Sequence, residues 1–119
     1  MPIKRGDIVL ANMPFTDMSG AKIRPALVVQ CDVNNAWLDD VIVAMITRTT
    51  KLASIEPTQL LIDIATPDGK TTRLLHTSAV KCEHLITLDQ HLVIKRIGQM
   101  PTGLMAKIDE CLKGALELR

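Results

Sequence analysis

Arg24 stands directly before Pro25-Ala26-Leu27-Val28-Val29, where a polar stretch gives way to an apolar run. An arginine at such a junction is anchored at its base and free at its tip. A guanidinium held that way can grip two non-bridging oxygens of one phosphate. The residues alone leave a plainer reading open, a surface arginine that opens a strand. Thr47 closes a second apolar run and can offer a hydroxyl to a bound anion, or it is a threonine chosen for β-propensity. Thr49 and Thr50 follow close behind. Lys81 and Glu83 lie two apart, so on a strand they face the same side. An ammonium and a carboxylate placed so can flank a phosphate, or form an exposed ion pair of little worth. No carboxylate cluster has Mg²⁺-site character, and His76, His84 and His91 have no metal-ligand spacing, which makes each a half-exposed structural histidine. Three cysteines (Cys31, Cys82 and Cys111) form no CxxC pair, so neither a disulfide framework nor a zinc cluster is indicated. Cys31 and Cys82 read as small apolar packing residues. No metal or other cofactor is expected.

The elements that position these groups fit one domain, 1–119, because 119 residues suffice for one core and not for two. With 47% apolar and 23% charged residues the balance is globular. Phe15 and Trp37 are the sole aromatics, so the core is aliphatic and base stacking on aromatic platforms is nearly excluded. A net charge of +1 means that a polyanion must be met by a local patch, not by a whole-molecule field. No apolar run approaches the ~20 residues of a membrane span. The opening residues lack a secretory signal, and together these features point to the cytoplasm.

Residues 8–13, 25–30 and 41–47 read as strands, the first entered through Gly6-Asp7. Between them, 14–22 is a loop by turn chemistry and 32–40 breaks the apolar pattern. Leu60, Ile62 and Ile64 alternate with Gln59, Leu61 and Asp63, the period of a half-buried strand. Pro67-Asp68-Gly69-Lys70 predicts a tight turn with a hairpin partner at 72–75. Residues 80–85 and 93–97 read as further short strands. At the end Thr102 can cap a helix in which Leu104, Ile108, Cys111, Leu112 and Ala115 share one face. Short strands followed by an amphipathic helix predict a mainly-β or α+β domain, a small barrel with helical decoration.

Several segments, in order and spacing, resemble the signatures of the MazF/PemK toxin family. They are Lys4-Arg5-Gly6-Asp7-Ile8-Val9-Leu10, Asp17-Met18-Ser19-Gly20 and Arg24-Pro25-Ala26-Leu27-Val28-Val29. Val43-Ala44-Met45-Ile46-Thr47 is similar to the family's third strand. Ser78-Ala79-Val80-Lys81-Cys82-Glu83, then Thr87-Leu88-Asp89 and Lys95-Arg96-Ile97-Gly98, is similar to its second signature. The match extends from about Lys4 to the terminal helix.

The resemblance implies an SH3-like barrel of the CcdB/MazF type, assembled as a two-fold homodimer. It implies a toxin of a type II toxin–antitoxin system that cleaves single-stranded mRNA selectively and without metal. The ribose 2′-OH attacks the adjacent phosphate, leaving a 2′,3′-cyclic phosphate and a 5′-OH. Arg24 and Thr47 then become catalytic candidates, and Lys81 and Glu83 fall where some members carry Arg and Asp in acid and base roles. Lys for Arg and Glu for Asp are departures that alter reach and lose a bidentate fork. Some members place a His in the first loop, where this chain has Met18, Ser19 and Gly20. Lys22, Ser19, Arg48, Lys51 and Arg73 are the RNA-binding candidates, positioning phosphates without reading sequence. The implied partner is a cognate antitoxin whose acidic, partly disordered segment lies across the same groove. A competing reading is a non-enzymatic poison of a protein target such as DNA gyrase. That family relies on a C-terminal Trp, whereas this chain ends Leu116-Glu117-Leu118-Arg119.

Overall fold

A computed structural model of the chain describes residues 2–14 and 22–119. The strands are β1 (Asp7–Met13), β2 (Lys22–Val28), β3 (Asp40–Thr47), β4 (Gln59–Ile62), β5 (Ser78–Asp89) and β6 (Val93–Gln99). They form one six-stranded sheet in the order β4-β5-β3-β2-β1-β6, with every pairing antiparallel. Among the described residues three α-helices accompany it, α1 (Asp32–Trp37), α2 (Pro67–Thr71) and α3 (Thr102–Leu116), with one 3-10 turn at Gln90–Leu92.

Strand alternation sends side chains to two cores. Val9, Ala11, Met13, Ala26, Val28, Val43 and Met45 form the first, with Val41 and Leu88. Ile8, Leu27, Ala44, Ile46, Val80 and Cys82 form the second, beneath α3. Burial on both faces explains why β3 reads as a nearly continuous apolar run rather than a strict alternation. Leu104, Ile108, Cys111, Leu112 and Ala115 all pack into the second core, as their helical spacing predicts. Arg5 ties this helix down: its Nη2 meets Asp109 Oδ1 at 2.7 Å and its Nε donates to the Val29 carbonyl at 2.8 Å.

The structure corrects several expected boundaries. Thr102 does not cap α3 but is its first residue, and Pro101 occupies the cap without a side-chain bond. The stretch after Cys31 is not merely a break, because it holds α1, which leaves Trp37 84% exposed. Cys31 itself is exposed, not packed as expected, because it precedes this surface helix. β2 begins at Lys22, so both Lys22 and Arg24 lie within a strand. The largest departure is at 67–75. The Thr66 hydroxyl accepts from Gly69 N–H at 3.0 Å with Pro67 in the first helical turn, so the predicted tight turn is instead the short helix α2. No strand follows at 72–75, and β4 pairs with β5 through Gln59↔Lys81 to Ile62↔Ser78.

Residues 72–76 form a strap whose start crosses against β6 at Gly98. A Cβ added at Gly98 would overlap the Thr72 carbonyl, so the contact exists only because residue 98 has no side chain. Thr72 is fully buried, and Arg73 takes the left-handed conformation at φ 61°. The result is a mainly-β, α+β barrel with a C-terminal amphipathic helix. Among the described residues no helix is long and apolar enough to cross a membrane.

Candidate phosphate-binding groove

The β2–β3 ladder pairs Val28 with Val43, Leu27 with Ala44 and Ala26 with Met45, and goes no further. Two residues on, the same register sets Arg24 against Thr47, where the strands part into a fork. Arg24 is exposed there, and its Nη1 donates to the Ile23 carbonyl at 3.0 Å. Thr47 Oγ1 accepts from Thr49 N–H at 3.1 Å, which leaves its own O–H available to donate.

The fork opens into a groove of about 780 Å³. Its floor is apolar, from Leu10, Pro25, Ile46 and Ile97. Cationic side chains from four separate segments line it: Arg24 of β2, Arg48 after β3, Arg73 of the strap and Lys95 of β6. Thr47, Thr49 and Ser78 supply hydroxyls, His76 an imidazole, and the described lining includes no Asp or Glu. Ile23 and Leu75 add apolar surface and are 54% and 84% exposed. Cations beside a low-dielectric floor concentrate a positive field that the near-neutral whole molecule lacks. The arrangement can hold a phosphodiester, with guanidinium forks on the non-bridging oxygens and a hydroxyl beside them.

Of the residues singled out from sequence, Arg24, Thr47, Arg48 and Arg73 come together in this groove. Lys22 is exposed at the far end of β2, opposite Met13, and Lys51 lies exposed in the turn after β3; neither lines it. Ser19 lies outside the described residues. Lys81 sits across from both Met45 and Gln59, on the face that Thr47 continues two residues further along β3. Lys81 is half-buried and, like Glu83, is not part of the groove lining.

Glu83 occupies an irregularity in β5, where the pairing jumps from Ala44↔Leu85 to Met45↔Lys81. Its carboxylate accepts from Gln59 Nε2 at 2.7 Å and from Thr58 Oγ1 at 3.0 Å. Burial pushes its pKa up, but the hydrogen bonds from its own backbone, Gln59 and Thr58, with Lys81 nearby, outweigh this and hold it below the ordinary value. The group is therefore an ionised brace between β4 and β5. On its other side, burial pushes the Cys82 thiol up to about 12, with contributions from Cys111 and Glu83. Burial raises the Cys111 thiol as well. Both stay protonated, in keeping with the packing role read for Cys82.

Sequence reasoning missed Lys95, Thr49, Ser78 and His76 as groove residues. Lys95 is placed by its register opposite Leu10. His76, read as structural, is exposed and lines the groove because the strap carries it there. No periodicity or spacing signals either placement.

Fold and groove together define a small barrel that offers a polyanion one cation-lined cleft. The model of the PemK-like, MazF-like toxins of type II toxin-antitoxin systems matches residues 4–116, and the chain belongs to that family. It is 36% identical over 120 residues to endoribonuclease MazF6 of Mycobacterium tuberculosis, covering 99% of this chain and 100% of that protein. Endoribonuclease EndoA of Bacillus subtilis is 31% identical over 119 residues, covering 99% of this chain and 97% of that one. A mycobacterial endoribonuclease solved in complex with its cognate antitoxin superposes with a TM-score of 0.79 at 22% identity, covering 98% of this chain and 97% of that one. MazF in a MazE–MazF complex from Deinococcus radiodurans gives 0.76 at 20% identity, with both chains covered in full.

Proposed function

We propose that this protein is an endoribonuclease toxin that cleaves single-stranded RNA in the groove at the β2–β3 fork. The observation that carries this reading is the meeting of Arg24 and Thr47 with Arg48, Arg73 and Lys95 in one cleft, in a chain whose full-length relatives are named endoribonucleases. The RNA supplies its own nucleophile. Its 2′-oxygen attacks the adjacent phosphorus, and Arg24 and Thr47 hold the non-bridging oxygens in line while charge builds on them. Arg48, Arg73 and Lys95 hold flanking phosphates, with Lys22, Ser19 and Lys51 extending the track along the strand. Lys81 reinforces the positive face beside Thr47, and Glu83 keeps β4 and β5 aligned beneath it.

The protein works as a cytoplasmic homodimer. Ile42 on β3 and Leu116 on α3 are exposed apolar side chains available to a two-fold interface. A cognate antitoxin inhibits by laying acidic residues on the same cations. A gyrase-type poison would leave the cation-lined cleft without a task. The test is to incubate the purified protein with total RNA and sequence the 5′ ends of the fragments. A short recurring motif is expected at the cut, with 5′-hydroxyl ends that ligate only after phosphorylation and 2′,3′-cyclic phosphates on the other side. Random ends, or ends bearing 5′-phosphate, overturn the mechanism.

A further inference from the structure

We infer that His76 is the catalytic proton donor to the leaving 5′-oxygen, an inference that rests on the ribonuclease reading above. The argument is an inventory of protons in the groove. As the O2′–P bond forms, the 2′-hydroxyl proton becomes acidic and passes to water. As the P–O5′ bond breaks, its electron pair stays on O5′, which would depart as an alkoxide, the strongest base in the reaction. Arg24, Arg48, Arg73 and Lys95 line the groove and can neutralise the phosphorane, but as a class guanidinium and ammonium groups give up a proton near neutrality far less readily than an imidazolium does. The hydroxyls of Thr47, Thr49 and Ser78 hold theirs as firmly. Imidazole is the side chain whose charge changes between roughly pH 5 and 8, and His76 is the one imidazole among the described lining residues. The imidazolium gives its proton to O5′, is left neutral, and regains a proton from water.

The backbone that carries His76 is itself anchored. Ser78, nearly fully buried, donates its hydroxyl to the His76 carbonyl at 2.7 Å. Upstream, the buried Thr72 hydroxyl donates to the Gly69 carbonyl and accepts from Leu74 N–H at 3.3 Å. The strap is further seated on Gly98. His76 thus has an anchored backbone and an exposed side chain at the edge of the cleft. Of the neighbouring acid–base candidates, Lys81 is half-buried and outside the described groove lining. Glu83 is tied to Gln59 and Thr58 and holds no proton to give. His84 is absent from the lining, and His91 Nδ1 faces Asp89 Oδ1 at 3.0 Å outside it.

The experiment compares two oligonucleotides spanning the mapped cleavage site, one with the natural 5′-oxygen and one with sulfur in the bridging position. A thiolate leaves without protonation. His76→Gln should lose about a hundredfold or more on the oxygen substrate and cut the sulfur substrate at nearly the wild-type rate. Arg24→Ala should lose on both. Because His76 is exposed, the variant should keep the wild-type circular dichroism spectrum and melting temperature. Wild-type cutting of the oxygen substrate by His76→Gln, or an equal loss on both substrates, overturns the donor role while leaving the ribonuclease reading intact. A wild-type protein that cuts neither substrate overturns both.

Discussion

The two parts of β5 meet opposite fates. Its first residue, Ser78, is itself buried and bonded to the His76 carbonyl but borders a cleft whose cations are exposed, whereas Cys82 and Glu83 a few residues on lie outside that cleft. Cys82 packs under α3, and Glu83 has one carboxylate oxygen bonded to Gln59 of β4 and the other to Thr58 just before it. Residue types alone would rank the carboxylate above a serine beside an arginine-rich strap as the place for chemistry. The difference teaches that chemistry resides where charged groups converge with capacity to spare. Satisfied polar groups such as Glu83 are spent on holding strands together.

The contrast can be broken by substitutions that should separate stability from cleavage. Ile108→Ala removes a fully buried side chain of α3 from the second core. It should cost about 3–4 kcal/mol of unfolding free energy by urea denaturation, while the folded fraction cuts RNA at the normal rate. Arg24→Ala should do the reverse. A hundredfold fall in kcat/KM, about 2.7 kcal/mol of transition-state stabilisation, should come with an unchanged urea midpoint, because the side chain is exposed. If Arg24→Ala unfolds the protein, or Ile108→Ala abolishes cleavage by folded molecules, the two regions are not separable.

Gly98→Ala tests the boundary between them. Its Cβ must displace the Thr72 carbonyl, so about 2 kcal/mol of stability should be lost, together with cleavage, as Arg73 and His76 move with the strap. Retained activity in a destabilised Gly98→Ala protein would show that the strap's position does not matter. The smallest effect belongs to the brace. Glu83 is depressed in the folded state, so its contribution to stability is present above its unfolded pKa and fades as pH falls through the folded value. Glu83→Gln should lower stability by about 0.5 kcal/mol at neutral pH. The gap to wild type should narrow as pH falls below the ordinary Glu range and close once it passes the lowered folded value, as followed by thermal melts across pH. A hundredfold loss of cleavage in Glu83→Gln would move this residue into the reaction.

Much of the scaffold was legible because local pattern and burial agree. β3 is a buried run bounded by turns, and α3 repeats its apolar residues at helical spacing. Arg24 and Thr47 were legible through the apolar strands they border and the signatures those strands resemble. The region 66–77 was misread because Pro-Asp-Gly is a turn signal, while Thr66 before Pro67 is also a helix-start signal, and the second governs here. His76 and Lys95 reach the groove through a strap and a strand register joined only in three dimensions. Glu83 owes its partners to an irregular pairing that shifts β5 against β3, which alternation along one strand does not reveal.

Trp37, standing out from α1 at 84% exposure, makes the chain's intrinsic fluorescence a surface reporter. With no tyrosine in the sequence and a single tryptophan already in water, native emission should lie at the long-wavelength end and shift little on denaturation. Chemical unfolding is therefore better followed by circular dichroism. A blue shift on adding a second protein would mean instead that the indole has been covered, which turns this residue into a built-in docking probe. Iodide quenching, strong in the free protein and weakened only when α1 is occluded, would distinguish a partner that lands on this helix from one confined to the groove.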